Sequence, residues 1–295
     1  MMSTSNLISN VLTKTLPQSL SHLHAQIEGK LNAIIHYSPT IGLMGKTGVG
    51  KSSLCNALFQ TNVSPVSDVH SGTHEAKHFE MQLGTRTLTF IDLPGVGESI
   101  ASNDAYHAQY QQLLPKLDLI IWVLRADERA WISDELAYQF LAEQCGYDKT
   151  RFLFVLNQAD KIEPCREWDL EQHSPSDKQY QHLQQKVDRV QCTFLPVHPV
   201  ITISAKESYQ LAQFVETLIA ALPSHASSSV VSQLQTTYRT QPVEYIARQG
   251  FNRSVMGTID SIIHELPLST LLKTVLIKAK DVLVDAVTSL WRWLF

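Results

Sequence analysis

Between Asn6 and His36 the apolar positions Leu7, Ile8, Val11, Leu12, Leu16, Leu20, Leu23, Ile27, Leu31, Ile34 and Ile35 recur mostly every three or four residues. That spacing lines one face of a helix, and Pro17 interrupts it because proline removes a backbone donor and crowds the preceding turn. An N-terminal helical extension over residues 1–38 is therefore predicted. From Thr40 the pattern changes to short continuous apolar runs. TIGLMG reads as a strand, KSSLCNALF as a helix, and EAKHFEMQL and RTLTFIDL as two strands joined at Gly84 and Thr85 in a hairpin. A helix around residues 104–114 follows, then strand LDLIIWVL, a helix from Ser133 to Gln144, and strand RFLFVLN. Residues 160–191 read as a polar stretch before strand PVITIS and helix ESYQLAQFVETLIAAL.

Alternating strands and helices predict an α/β domain over residues 39–222. It is expected to hold a mostly parallel six-stranded sheet with one antiparallel edge strand and helices on both faces. The Pro and Ser content of PSHASSS marks residues 223–229 as a linker. Residues 230–295 are predicted to be helical again, with breaks at Pro242 and Pro267.

Composition narrows the classes. A chain of 295 residues with 44% hydrophobic content can bury a sizeable core. The formal charge of -4 and pI near 6.3 carry no strong signal for nucleic acid. Four cysteines, Cys55, Cys145, Cys165 and Cys192, without a C-x-x-C pair suit reduced thiols in a cytoplasmic protein. No stretch approaches the roughly 20 apolar residues of a membrane span, and the first residues lack a signal peptide's apolar core.

The chemistry concentrates after the predicted strands. GKTGVGKS, Gly45 to Ser52, lies between a strand and a helix, the context that makes a phosphate-binding loop credible. Gly45, Lys46, Thr47, Gly48, Val49 and Gly50 bring backbone N–H groups toward phosphate oxygens, followed by Lys51, Ser52 and Ser53 at a helix N-terminus. Lys51 is expected to hold the β- and γ-phosphates, and the Ser52 hydroxyl to bind Mg²⁺. DLPG then supplies Asp92, which reaches the metal through water, and Gly95, whose N–H senses a γ-phosphate. NQAD and SAK supply Asn157, Gln158, Asp160, Ser204, Ala205 and Lys206 for the base. A carboxylate at Asp160 can accept both N–H donors on guanine's Watson–Crick edge, whereas adenine would present an acceptor to it. GTP and GDP are the expected ligands.

These four motifs, in this order, resemble the P-loop GTPases, in their Era-like, translation-factor-related branch. DLPGVGES, LPKLDLIIWVLRADERAWISDE and NQADK are most similar to the prophage-associated YfjP-like GTPases. The resemblance covers residues 40–222 well. It implies a slow, Mg²⁺-dependent GTP hydrolase in which Thr73 is the switch threonine that reaches Mg²⁺ and the γ-phosphate, with Thr61, Ser64 and Ser71 competing for that role. It implies that the Ala205 N–H meets guanine O6 and that Asn157 braces the loop. It also places Glu98 where relatives that modify tRNA carry a glutamate that orients the attacking water, against the plainer reading of a solvated side chain. Departures are clear as well. Gln158 stands where the family usually has lysine, and Val96 cannot orient a water. Gly48 replaces the asparagine of potassium-stimulated relatives, and residues 61–72 hold no arginine.

Other features read as structural. His70, His74 and His78 recur at four-residue steps but straddle a loop and a strand, so they read as solvated surface. Arg129 reads as a surface residue, with a role across a dimer as the sharper alternative. Residues 268–294 form an amphipathic helix ending in Trp291 and Trp293, expected to pack against the chain's own N-terminal helices. A partner surface ranks second and membrane docking last, since the polar face mixes charge signs. The expected function is a slow GTPase switch with an unknown protein effector or a homodimer as partner. The rival is a nucleotide-dependent assembly module with negligible hydrolysis, or a membrane-associated GTPase.

Overall fold

The computed structural model describes residues 4–60, 64–65, 77–83, 86–93, 110–265 and 269–295. In chain order these form α1 (Thr4–Thr15), α2 (His24–Ile35), β1 (Thr40–Met44), α3 (Lys51–Leu58), β2 (Ser64–Pro65) and β3 (Lys77–Leu83). Next come β4 (Arg86–Asp92), β5 (Leu119–Arg125), α4 (Ile132–Gln139), β6 (Phe152–Asn157), α5 (Asp177–Phe194) and β7 (Ile201–Thr202). The remainder is α6 (Leu211–Ala221), α7 (Ser227–Gln233), α8 (Gln241–Glu265), α9 (Thr270–Ser289) and α10 (Trp291–Leu294). The chain divides into two units. One is Pro39–Leu222 with Gln233–Arg239, and the other is Met1–Ser38 with Pro223–Ser232 and Thr240–Phe295.

The first unit is a sheet with strand order β2-β3-β4-β1-β5-β6-β7. Strands β4, β1, β5, β6 and β7 run parallel, while β3 pairs antiparallel with β4 and β2 antiparallel with β3. This corrects the expected count of six with one antiparallel edge strand. Five strands are parallel, and the antiparallel side carries two further strands because Ser64 and Pro65 pair with Glu80 and Phe79. Two residues carry no readable periodicity, so β2 exists only through its partner.

Strands β5 and β6 are buried along nearly their whole length, which explains why both read as unbroken apolar runs rather than alternations. Trp122 of β5 stacks on Phe154 of β6 at 5.7 Å, and Phe194 of α5 meets Phe154 at 4.7 Å. Helix α5 overturns the polar reading of residues 160–191. Ser176 and Gln179 form a capping box at its start, and Leu183, Val187, Val190 and Phe194 line its buried face. The apolar stripe is narrow and glutamines surround it, which hid an 18-residue helix.

The second unit is helical. A one-turn-per-three-residue segment over Gln18–Leu23 follows Pro17 and joins α1 to α2. Helices α9 and α1, α9 and α8, and α2 and α8 pack together. The linker expected at residues 223–229 is also corrected, because α7 begins at Ser227 and its residues are buried. Ser228 Oγ donates to the Ala247 carbonyl at 3.1 Å and accepts from Trp291 Nε1 at 2.9 Å. Serines that suggest a flexible tether here are buried in a helical core, where the Ser227 and Ser232 hydroxyls donate to the Ser224 and Ser229 carbonyls. Among the described residues no helix is long and apolar enough to cross a membrane.

Candidate functional site

Strand β1 ends at Met44, and the chain turns through Gly45, Gly48 and Gly50 with φ of 132°, 83° and 94° before entering α3. Only glycine takes up these conformations without strain. Space matters equally: a Cβ on Gly45 would collide with the Val123 carbonyl of β5, and one on Gly50 with the Asn157 amide. Val49 is buried and pins the middle of the turn, while Thr47 and Gly48 are exposed. Lys51 folds back over the loop, donating to the Gly45 carbonyl at 2.5 Å and the Lys46 carbonyl at 3.3 Å. Its Nζ lies 3.3 Å from Asp92 Oδ1 at the end of β4. Ser52 and Ser53 in the first turn of α3 are exposed.

Strand β6 delivers the second half. Asn157 is buried and its amide works in both directions, with Nδ2 donating to the Val49 carbonyl at 2.9 Å and Oδ1 accepting from the Ala205 N–H at 3.1 Å. Gln158 follows with φ of 62°, and its Nε2 donates to the Gly48 carbonyl at 2.8 Å. Asp160 Oδ1 accepts from Ser204 Oγ at 2.6 Å, and Ser204 Oγ accepts in turn from the Glu207 N–H at 3.1 Å. Lys206 is exposed and paired with Glu207 at 2.9 Å. Hydrogen bonding to Glu207 holds the Lys206 ammonium above its usual range, and the same bond, with His173, holds the Glu207 carboxyl below its own.

All the motif residues that fall in the described segments therefore converge at the C-terminal ends of β1, β4, β6 and β7. That end is where open α/β sheets bind ligands. Thr73, Gly95 and Glu98 lie outside the described residues, as do Val96, His70 and His74. The residues present fit a phosphate chain with its Mg²⁺: a positive-φ glycine turn leads into the helix, an ammonium and a carboxylate stand beside it, and an exposed hydroxyl begins the helix.

Sequence reasoning missed two contacts here. Lys46, which the motif assigns only to the cradle, forms ion pairs with Glu128 and, at 3.5 Å, with Asp134 Oδ2. Burial works against the Lys46 charge, but the Glu128 hydrogen bond and the Asp134 charge hold it above the usual lysine range. Asp134 is buried and accepts from Trp122 Nε1 at 3.0 Å. Its burial pushes the carboxyl pKa up, partly offset by Trp122 and Lys46. The second contact joins Lys161 Nζ to Gln158 Oε1 at 3.0 Å. The Lys46 pairs have no spacing signal, since they depend on how distant loops meet, whereas Lys161 and Gln158 are three residues apart in one turn.

Comparison with known proteins agrees with this architecture. Residues 40–158 match the family described as 50S ribosome-binding GTPase. The chain is 39% identical over 286 residues to the uncharacterised protein YkfA of Escherichia coli K12, covering 96% of this chain and 98% of that one. The chain belongs to the Era-like P-loop GTPases. Within them it is also 38% identical over 266 residues to YfjP of the same organism, covering 90% and 91% of the two chains. Among solved structures, an Era variant of Aquifex aeolicus bound to GDP·AlF4⁻ aligns at 24% identity with a TM-score of 0.43, covering 62% of this chain and 56% of that one.

Proposed function

We propose that this GTPase-family chain binds GTP, hydrolyses it slowly to GDP and phosphate, and uses the nucleotide state as a cytoplasmic switch read by a protein effector or a second copy. The observation that most supports this is the amide of Asn157, which ties the phosphate loop at Val49 to the base loop at Ala205. One side chain thereby holds the two halves of a guanine-nucleotide site at fixed separation.

In this reading Lys51 leaves its carbonyl partners to hold the β- and γ-phosphates, and the N–H groups from Gly45 to Ser53 face the same oxygens. Asp160, oriented by Ser204, accepts the two N–H donors of guanine, and the Ala205 N–H donates to O6. Gln158 and Lys206 flank the base. Ser52 and Thr73 would hold Mg²⁺ directly and Asp92 through water; when bound, the ion neutralises charge on the phosphate oxygens. The Gly95 N–H senses the γ-phosphate and Glu98 orients the water. Val96 cannot take that part, so unaided turnover is slow.

Two measurements test the reading. Competition titration should show strong preference for GTP over ATP, and Asp160→Asn should shift preference toward xanthosine triphosphate, because an amide complements the altered edge of xanthine. Equal ATP and GTP affinity would sink the guanine assignment. Multiple-turnover phosphate release should exceed a Lys51→Ala control. Release no faster than that control would instead make the chain a binding module whose nucleotide serves assembly.

A further inference from the structure

The family's usual lysine after the base-site asparagine is Gln158 in this chain, and the geometry around it shows how the exchange is accommodated. Gln158 sits in a left-handed conformation that points its side chain back across the phosphate loop. Its Nε2 donates to the Gly48 carbonyl at 2.8 Å and would lie 3.8 Å from a Cβ on Gly50. A neutral amide can face either way at that position, because its nitrogen and oxygen ends have nearly the same shape. Facing the wrong way, it would set Oε1 against the Gly48 oxygen. Lys161, three residues on, removes the ambiguity. An ammonium has three donors and no acceptor, so its 3.0 Å contact must be to Oε1, which leaves Nε2 for Gly48. The turn that brings the two together is closed by the Lys161 N–H on the Gln158 carbonyl at 2.9 Å.

We propose that Lys161 is a positioning residue for nucleotide retention: with Gln158 it forms a two-residue substitute for the family lysine, tying the base loop to the phosphate loop at Gly48. The proposal rests on the guanine-nucleotide reading above and deepens it. The tie is parallel to the Asn157 amide but lies on the outer, solvent-facing side of the site. Asn157 binds the loops where they are buried, whereas Gln158 and Lys161 clamp the rim over which a nucleotide must leave. An ordered chain from ammonium to amide to carbonyl also polarises each bond in it. Asp127, gripped by Arg125 at 2.9 and 2.7 Å, is a carboxylate that also feels the Lys161 charge.

The test is release of methylanthraniloyl-GDP from the full chain, with apo unfolding temperature measured alongside. Lys161→Met keeps the apolar stem and removes the donor. It should speed release by about 3- to 10-fold, the loss of one charge-assisted hydrogen bond, with little change in apo unfolding temperature. Gln158→Lys should place a charged donor directly at the Gly48 carbonyl and make position 161 irrelevant, so the double variant should release as slowly as Gln158→Lys alone. Wild-type release from Lys161→Met overturns the proposal. So does an equal acceleration by Lys161→Met in the Gln158→Lys background, which would place its action at Asp127, or a fall in unfolding temperature large enough to account for the faster release. Failure of the wild-type chain to bind the labelled GDP, with ATP or another nucleotide bound instead, overturns the guanine reading itself and this proposal with it.

Discussion

Asp134 shows how burial acts on a carboxylate beside the phosphate loop. Asp134 is buried beside Trp122, and burial raises its pKa despite the neighbouring Lys46. A carboxyl whose folded pKa lies above its unfolded value contributes stability that is fully present below the unfolded value and is lost as pH rises through the folded one. Asp134→Asn keeps an oxygen to accept from Trp122 Nε1 and removes the buried charge. Its melting temperature should therefore exceed wild type increasingly as pH is raised from about 4 toward 7. A variant that instead falls further behind wild type over that range would mean the Lys46 ion pair outweighs the burial cost. For Glu98 the expectation concerns rate. If it orients water, Glu98→Ala should lower single-turnover hydrolysis by roughly 10-fold or more while leaving GTP affinity nearly unchanged, the mark of an interaction made mainly in the transition state. An unchanged rate at saturating GTP and Mg²⁺ would redirect the search to Arg129, whose exposed side chain follows β5.

At the scale of elements, α5 is the part of the sheet-containing unit that most depends on its ends. Polar side chains outnumber apolar ones along it, so its register on the sheet is set by the stripe ending at Phe194 and by the start at Ser176. Ser176 Oγ accepts from the Gln179 N–H at 3.2 Å, and Gln179 Oε1 accepts from the Ser176 N–H at 3.0 Å. Gln179 Nε2 also donates to the Ile162 carbonyl at 3.0 Å, just beyond the base loop. Ser176→Ala removes one half of the box and should cost about 1 kcal/mol, a drop of about 2–4 °C in melting temperature for a unit of this size. Calorimetry checks this, and an unchanged transition would show that α5 is held by its sheet face alone. The same helix presents Lys186 and Arg189 to the face of Trp131 at 5.4 and 5.7 Å, which seats the segment carrying Glu128 against the sheet.

At the scale of the whole molecule, the helical unit gathers segments from both ends of the chain. Helix α9 buries Leu276, Leu283, Val284 and Val287, and α10 adds Trp291 and Leu294. Leu271 and Val282, placed on the same apolar face by their spacing, are exposed, as is Trp293 near the chain's end. The face is thus narrower than the pattern suggests, but most of it is spent inside its own unit on α8 and α1. Deleting residues 269–295 should uncover that face and cause aggregation, with loss of the helical unit's cooperative melting. Size-exclusion chromatography of a truncated chain that stays monomeric, together with an unchanged melt, would contradict packing in cis.

What the sequence by itself determined are the features with local causes. Glycines at 45, 48 and 50 announce a turn that needs positive φ and close approach, unbroken apolar runs announce doubly covered strands, and motif order gathers the motif residues at one end of the sheet. The helical stripe before Pro17 and the hairpin between β3 and β4 were legible for the same reason. Tertiary structure alone decided what depends on remote partners. Strand β2 exists because Ser64 and Pro65 meet β3, and the serine-rich segment after Pro223 is buried in a helical core where the Ser228 hydroxyl meets Ala247 and Trp291. Helix α5 emerged from a glutamine-rich stretch because the sheet supplied a surface for its narrow stripe. Lys46 with Glu128 and Asp134, and Gln158 with Gly48, have no sequence period because loop ends brought together by the sheet set those distances, whereas Lys161 meets Gln158 through a local turn.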